Sequence, residues 1–378
     1  MSLGRRAIYL DANATTPLHP AVLAAMTPAL SHFFANPSSV HKPGQEARAL
    51  VDRAREQCAQ ALDCDPRELT FTSGGTESDA LAIRGLAGKG ARIVTSEVEH
   101  TAVHAACAQS GAQVVRVPVD SEGALDLSAL ERALPGAALC SIMAANNETG
   151  VLAPLDQIGA LCRKYEVPLH TDAVQAVGKL SLSLRYLPVD LLSCSAHKLQ
   201  GPKGAGLLWA RRGLRLEPVQ AGGHQERGRR GGTENVAGIV GLGEALSRAV
   251  AGLALEEPRL RSLRDRLEAS ASQIPGARIA GQKAPRVCNT LNVAFEECDG
   301  ETLLVGLDLE GIAVSTGSAC SSGSLEPSPV LLAMGYPPGL ARGAVRFSLW
   351  SGNTPEQIEE VCALLPGVVA RARGSRQG

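Results

Sequence analysis

Between residues 51 and 210, short apolar runs alternate with stretches of helical period, and this alternation narrows the possible folds more than any other feature. "GQEARALVDRAREQCAQALD" places Val51, Ala54, Cys58 and Ala61 on one helical face. "ELTFTSGG", "ARIVTS", "AQVVRVPV", "AALCSIMAA", "VPLHTDA", "LLSCSA" and "GAGLLWA" read as strands of a few residues each. "ESDALAIRGLA", "TAVHAACAQS", "DLSALERAL" and "LDQIGALCRKY" read as the helices between them. Strands apolar on both faces and separated by helices imply a mostly parallel α/β sheet covered on both sides. From about Gly243 the pattern changes to a long charged helix, "EEPRLRSLRDRLEASASQI". Two strands follow, "CNTLNVAF" and "GAVRFSLW", and then a last helix near "TPEQIEEVCALL". This reads as a smaller α+β domain. Residues 16–250 are assigned to the large domain, and 1–15 with 251–378 to the small one. The tail "RARGSRQG" is expected to fray.

The 378 residues include 37 Lys and Arg against 38 Asp and Glu. That balance argues against nucleic-acid binding, which leaves a basic excess. No apolar run is read as reaching the length of a membrane span. The N-terminus "MSLGRRAIYLDANATTP" lacks the apolar core of a signal peptide, so a cytoplasmic protein is expected. None of the ten cysteines forms a C-x-x-C pair, so no metal site is expected. Most lie in apolar stretches and read as reduced core residues. Cys320 differs: it sits in "STGSACSSGSLEPSP", with little around it to pack against.

Residues able to carry chemistry gather where strands end, the edge at which open α/β sheets bind ligands. "TSGGTESD" follows a strand and opens a helix. Gly74 and Gly75 permit close backbone approach, and Thr76 with Asp79 fits a capped helix start. Such a helix N-terminus can seat a phosphate, although a capped helix needs no ligand. Asp172 ends another strand with Gln175 three residues on. It could cap a helix or hold the proton of a pyridine ring. His100 follows a third strand and could be structural or could stack on a ring. Asn146 and Asn147 follow a fourth, where turn formation is the plain alternative. "SCSAHKLQGPKG" ends a fifth strand in Ser195, His197 and Lys198. Lysine at the end of a core strand asks for a partner. A phosphate seat, an acidic residue for a ring nitrogen and a lysine nucleophile together fit pyridoxal 5'-phosphate. The apolar strand before Lys198 suits an amine that must lose its proton to act.

The chain resembles the NifS/IscS-type cysteine desulfurases, among the class V enzymes of pyridoxal-phosphate fold-type I. The resemblance runs nearly end to end, through "YLDANATTPLHP", "NPSSVHKPG", "FTSGGTESDALAI", "EHTAVH", "NNETGVLAPL", "HTDAVQAVGK", "SAHKLQGPKG", "RRGGTEN", "GSACSSGSLEPSPVL" and "VRFSLW". It implies a seven-stranded-type sheet in the large domain. It implies that Lys198 bonds covalently to the cofactor, that His100 stacks on the ring and assists proton transfer, and that Asp172 binds the ring nitrogen. Asn147 and Gln175 would serve the ring hydroxyl, Asn147 also the substrate, and Gly75, Thr76, Ser195 and His197 the phosphate. Thr233 would reach the phosphate of a neighbouring subunit in a homodimer. Arg346 would grip the carboxylate of L-cysteine. Cys320 would take the sulfur as a persulfide and pass it to an acceptor, either an iron–sulfur scaffold protein or a sulfur carrier for thio-cofactor synthesis or tRNA thiolation. A selenocysteine lyase or another class V aminotransferase would share Lys198 and Asp172 without needing Cys320. A non-catalytic scaffold should lack the lysine or the cysteine. Trp350 stands where the resemblance leads one to expect glycine.

Overall fold

The computed structural model describes residues 7–316 and 326–374. Its larger sheet has seven strands: β1 Leu69–Thr72, β2 Arg92–Ser96, β3 Gln113–Val117, β4 Leu139–Ser141, β5 Leu169–Asp172, β6 Leu191–Ser195 and β7 Gly206–Ala210. Their spatial order is β1-β7-β6-β5-β4-β2-β3. β7 runs antiparallel to both neighbours and the other pairings are parallel. The carboxyl ends of β1, β2, β4, β5 and β6 therefore share one edge. β5, β6 and β7 are buried at every residue, which explains why they read as apolar runs rather than alternating ones. Each fully buried Leu or Ile on such a strand contributes roughly 1.5–3 kcal/mol.

A second sheet is fully antiparallel, in the order Ser315–Thr316, Ala344–Ser348, Thr290–Phe295 and Ala277–Ile279. It has a separate core, built from Val293, Phe295, Phe347, Leu303, Leu307, Val361 and Leu365. Ile8 and Leu10 join this core although they open the chain, and Ile8–Tyr9 pairs in parallel with Ile312–Ala313.

One helix, Val236–Ala271, serves both cores. Its 36 residues make it about 54 Å long at 1.5 Å per residue. Ile239, Leu242, Ala245 and Leu246 pack into the large core, and Leu260, Leu263 and Leu267 into the small one. Pro258 lies within it. This helix corrects the expectation that no apolar run reaches span length. It holds an 18-residue window of mean hydropathy 1.4, half of it buried in the protein. Its apolar residues are those of a core helix packed against its neighbours. The first half of the C-terminal tail also departs from expectation, while residues 375–378 lie outside the described residues. The last helix, Pro355–Gly374, extends through "RARG", where Arg371 pairs with Glu310 at 2.7 Å and Arg373 Nε donates to the Glu296 carbonyl at 3.0 Å.

Candidate active site

At the shared strand edge, a cavity of about 310 Å³ gathers the residues weighed for chemistry in the sequence except Gly74, Asn146, Thr233 and Cys320. Asn146 instead makes the turn, its Oδ1 accepting from the Glu148 and Thr149 N–H groups at 2.9 Å. Thr233 is exposed and lies away from this cavity. Cys320 lies outside the described residues.

The first wall is the turn after β1. The expected cap on Thr76 is not formed, because the helix Gly75–Leu86 starts earlier. Its N-cap is Gly74, at φ 156°, with no side-chain cap bond, and Thr76 and Asp79 lie inside the helix. Only glycine adopts that backbone readily. Gly206 on β7 completes the seat: a Cβ there would fall 2.6 Å from the Gly74 Cα. The bare turn therefore lies directly on the strand and turns the helix's first N–H groups, which lack intrahelical acceptors, toward the cavity. Ser195, at the end of β6, faces the same turn. Its buried Oγ has no hydrogen-bond partner among the described residues. His197 shares a 3.1 Å hydrogen bond with Thr15 through Nδ1. Burial, then the charges of Lys198 and Lys203, lowers its pKa to about 4, so the ring is neutral at pH 7.

Asp172 lines the cavity at the end of β5, the strand beside β6. Burial raises its pKa, opposed by a 2.9 Å bond from the Val174 N–H and by the charges of His100 and Lys198. A cationic ring nitrogen at this wall would favour the ionised carboxylate. His100 combines both roles weighed for it. It caps the helix Thr101–Ser110, its Nδ1 accepting from the Ala102 N–H at 3.1 Å, and it lines the cavity. When the ring is neutral, that bond leaves its proton on Nε2. Lys198 directs Nζ to the carbonyls of Asn13 and Ala14, the latter at 2.7 Å. Gln175 donates from Nε2 to the Asn13 carbonyl at 3.0 Å.

Arg346 enters from the second sheet. Its side chain is 2% exposed. Nη2 donates to Asp11 Oδ1 at 2.8 Å and Nη1 to the Asn147 carbonyl at 3.1 Å. The Asn147 carbonyl thus holds the arginine, and the residue lines the cavity.

Sequence reasoning missed several groups here. Asp11 sits in "YLDANATTP" but is 335 residues from Arg346. Asp79 was taken only as a cap. It lines the cavity, and burial and the Asp172 charge raise its pKa well above the usual carboxylate range. Glu99 lies beneath. Its Oε1 accepts from Ser96 Oγ at 2.6 Å and from the Met143 N–H at 3.0 Å, and burial raises its pKa to about 8. The adjacency of Glu99 to His100 was its only sequence signal.

The buried, unpartnered Ser195 hydroxyl, the turn stripped of side chains and the Asp172 carboxylate in the same cavity fit the phosphate and ring nitrogen of pyridoxal phosphate. The aminotransferase class-V model matches residues 8–361, and the chain belongs to that family, whose cofactor is pyridoxal phosphate. Within it, the chain is similar to a cysteine desulfurase of Gluconacetobacter diazotrophicus, 47% identical over 378 residues that cover 97% of this chain and 94% of that one. Cysteine desulfurase IscS of Methanosarcina thermophila is 43% identical, with 99% and 94% covered. Among solved structures, a NifS-like protein superposes with a TM-score of 0.90 at 37% identity, covering 97% of this chain and all of the other. SspA in complex with cysteine gives 0.79 at 33% identity, covering 90% and 98%.

Proposed function

We propose that this chain is a cysteine desulfurase that converts L-cysteine to L-alanine and leaves the sulfur on Cys320. The observation that carries the reading is the meeting of Lys198, Asp172 and the buried Arg346 guanidinium in one cavity. Those three supply a covalent anchor, a ring-nitrogen partner and a carboxylate receptor. Bound there, pyridoxal phosphate supplies the electron-withdrawing ring that stabilises negative charge at the substrate Cα. The turn at Gly75 and Thr76, with Ser195 and neutral His197, would hold the phosphate. Asp172 would keep the ring nitrogen protonated, Gln175 and Asn147 would serve the ring hydroxyl, and His100 would serve the ring face. Arg346 and Asn147 orient the substrate through its carboxylate. Lys198 Nζ takes the Cα proton, and its bonds to the Asn13 and Ala14 carbonyls fix where that nitrogen sits.

The sulfur step needs a thiolate. Burial raises the thiols of Cys58, Cys64, Cys107 and Cys194 and disfavours that form. This supports Cys320 as the nucleophile. Its sulfur bonds to the substrate sulfur as the substrate Cβ–S bond breaks. The electron pair passes to the carbon skeleton, which is protonated and leaves as alanine. A homodimer would bring Thr233 of a second copy to the phosphate. Leu23, Leu30, Phe34 and Val40, exposed by 50% to 90%, supply apolar surface for it. The Arg48–Glu234 pair ties the residue after Thr233 to the helix Lys42–Leu62. A reducing, cytoplasmic setting suits the nine described free cysteines, and an iron–sulfur scaffold protein is the proposed acceptor.

The test is to incubate the cofactor-loaded protein with cysteine and a reductant and to assay alanine and sulfide together. Both should form in equal amounts, and Cys320→Ser should abolish both. Sulfide release by Cys320→Ser at the normal rate would remove the nucleophile assignment and leave a lyase that works without it.

A further inference from the structure

Lys179 is buried, 9% exposed, four residues beyond Gln175. Lysine is seldom buried without a charged partner, yet no carboxylate pairs with it among the described residues. Its Nζ donates to two amide oxygens, Gln175 Oε1 at 2.6 Å and Asn13 Oδ1 at 3.2 Å. Burial lowers its pKa to about 7. The charged and titratable groups facing it are Lys198 and Arg346, which lower the value further, and Cys288, which opposes them.

An ammonium has no acceptor lone pair, so while Lys179 is protonated the amide end nearest it must be oxygen. For Gln175 this turns the NH2 group the other way. One of its hydrogens goes to the Asn13 carbonyl at 3.0 Å, and the other remains for the cavity that Gln175 lines. The same logic orients Asn13. Its Oδ1 accepts from Lys179 and from Asn289 Nδ2 at 3.2 Å, so its Nδ2 donates to Thr290 Oγ1 at 2.8 Å and to the Asn147 carbonyl at 3.1 Å. The Asn13 carbonyl in turn accepts from Lys198.

We propose that Lys179 is a positioning residue: its ammonium fixes the Gln175 amide so that the cavity receives an N–H donor, not a carbonyl oxygen, beside the ring hydroxyl of the cofactor. This rests on the pyridoxal-phosphate reading of the site. A donor there favours the ionised ring oxygen, so it lowers the pH at which the bound cofactor loses its titrating proton.

The test is a pH titration of the visible absorption of the cofactor-loaded protein. Lys179→Met should raise the midpoint by roughly one unit, a tenfold change in the ionisation constant. Gln175→Ala should raise it similarly, and adding Lys179→Met to Gln175→Ala should move it no further, because the lysine acts through that amide. Gln175→Glu keeps Lys179 and gives it a charged partner but presents oxygen to the cavity. It too should raise the midpoint, which tests the donor at that position. If Lys179→Met does not fold, Lys179→Gln, which removes the ammonium and keeps a polar chain, carries the test of the lysine and should also raise the midpoint. An unmoved midpoint in the folded variants would overturn the proposal. So would an equal further rise in the double variant, which would make Lys179 a direct charge on the cofactor. A wild-type protein that takes up no pyridoxal phosphate would overturn the cofactor reading itself, and the proposal with it.

Discussion

Truncating Arg346 to alanine separates substrate recognition from structure. The guanidinium is held by Asp11 and by the Asn147 carbonyl, and its Nε has no hydrogen-bond partner among the described residues. A charge-assisted bond to the cysteine carboxylate contributes roughly 1.5–3 kcal/mol, about one to two decades of affinity. The same truncation strands Asp11. Breaking a fully buried pair costs about 3–5 kcal/mol, and the 19% exposure of the Asp11 side chain places the loss below that range. Asp11→Asn in the same chain removes the stranded charge. Arg346→Ala should therefore lower both the apparent affinity for cysteine and the urea midpoint. The double variant should recover part of the urea midpoint and none of the affinity. The assays are the cysteine dependence of the cofactor's visible spectrum and urea unfolding of each protein. Unchanged cysteine affinity in Arg346→Ala, or affinity restored by Asp11→Asn, would refute the reasoning and reduce Arg346 to a support for Asp11.

Borohydride reduction of the loaded protein should fix the cofactor on Lys198, and peptide mass mapping that found it on another lysine would displace the assignment. Ser195→Ala should leave unfolding nearly unchanged, because its hydroxyl has no protein partner to lose. It should weaken pyridoxal-phosphate binding by up to about tenfold, the loss of roughly 0.5–1.5 kcal/mol, as equilibrium dialysis would show. Glu99 has a folded pKa of about 8, above its unfolded value. Its contribution to stability is present below the unfolded pKa and is lost as pH rises through 8. Glu99→Gln stays neutral and should gain in melting temperature over wild type as pH rises from 5 to 8 in the cofactor-free protein. A difference independent of pH would show that Glu99 does not titrate in that window.

The strands, their alternation with helices and the placing of Asp172, Ser195 and Lys198 at strand ends were legible because apolar period and glycine turns are local signals. So was the order of the motifs, and with it the family. The start of the helix after β1 was misplaced because its cap is a backbone property of Gly74, invisible to a pattern that looks for a hydroxyl. The tail was misjudged because Arg371 and Arg373 are ordered by Glu310 and Glu296, which lie some sixty to eighty residues earlier. Asp11 and Arg346 meet only because the chain's first residues join the second core. Lys179 carried no sequence signal of its own; burial alone sets it against two amide oxygens. The sequence by itself determined which residue types stand at which strand ends. The tertiary structure alone decided which of them share a cavity, which carboxyl groups are desolvated and which way each amide points. Those follow from sheet order and packing between segments that no local period connects.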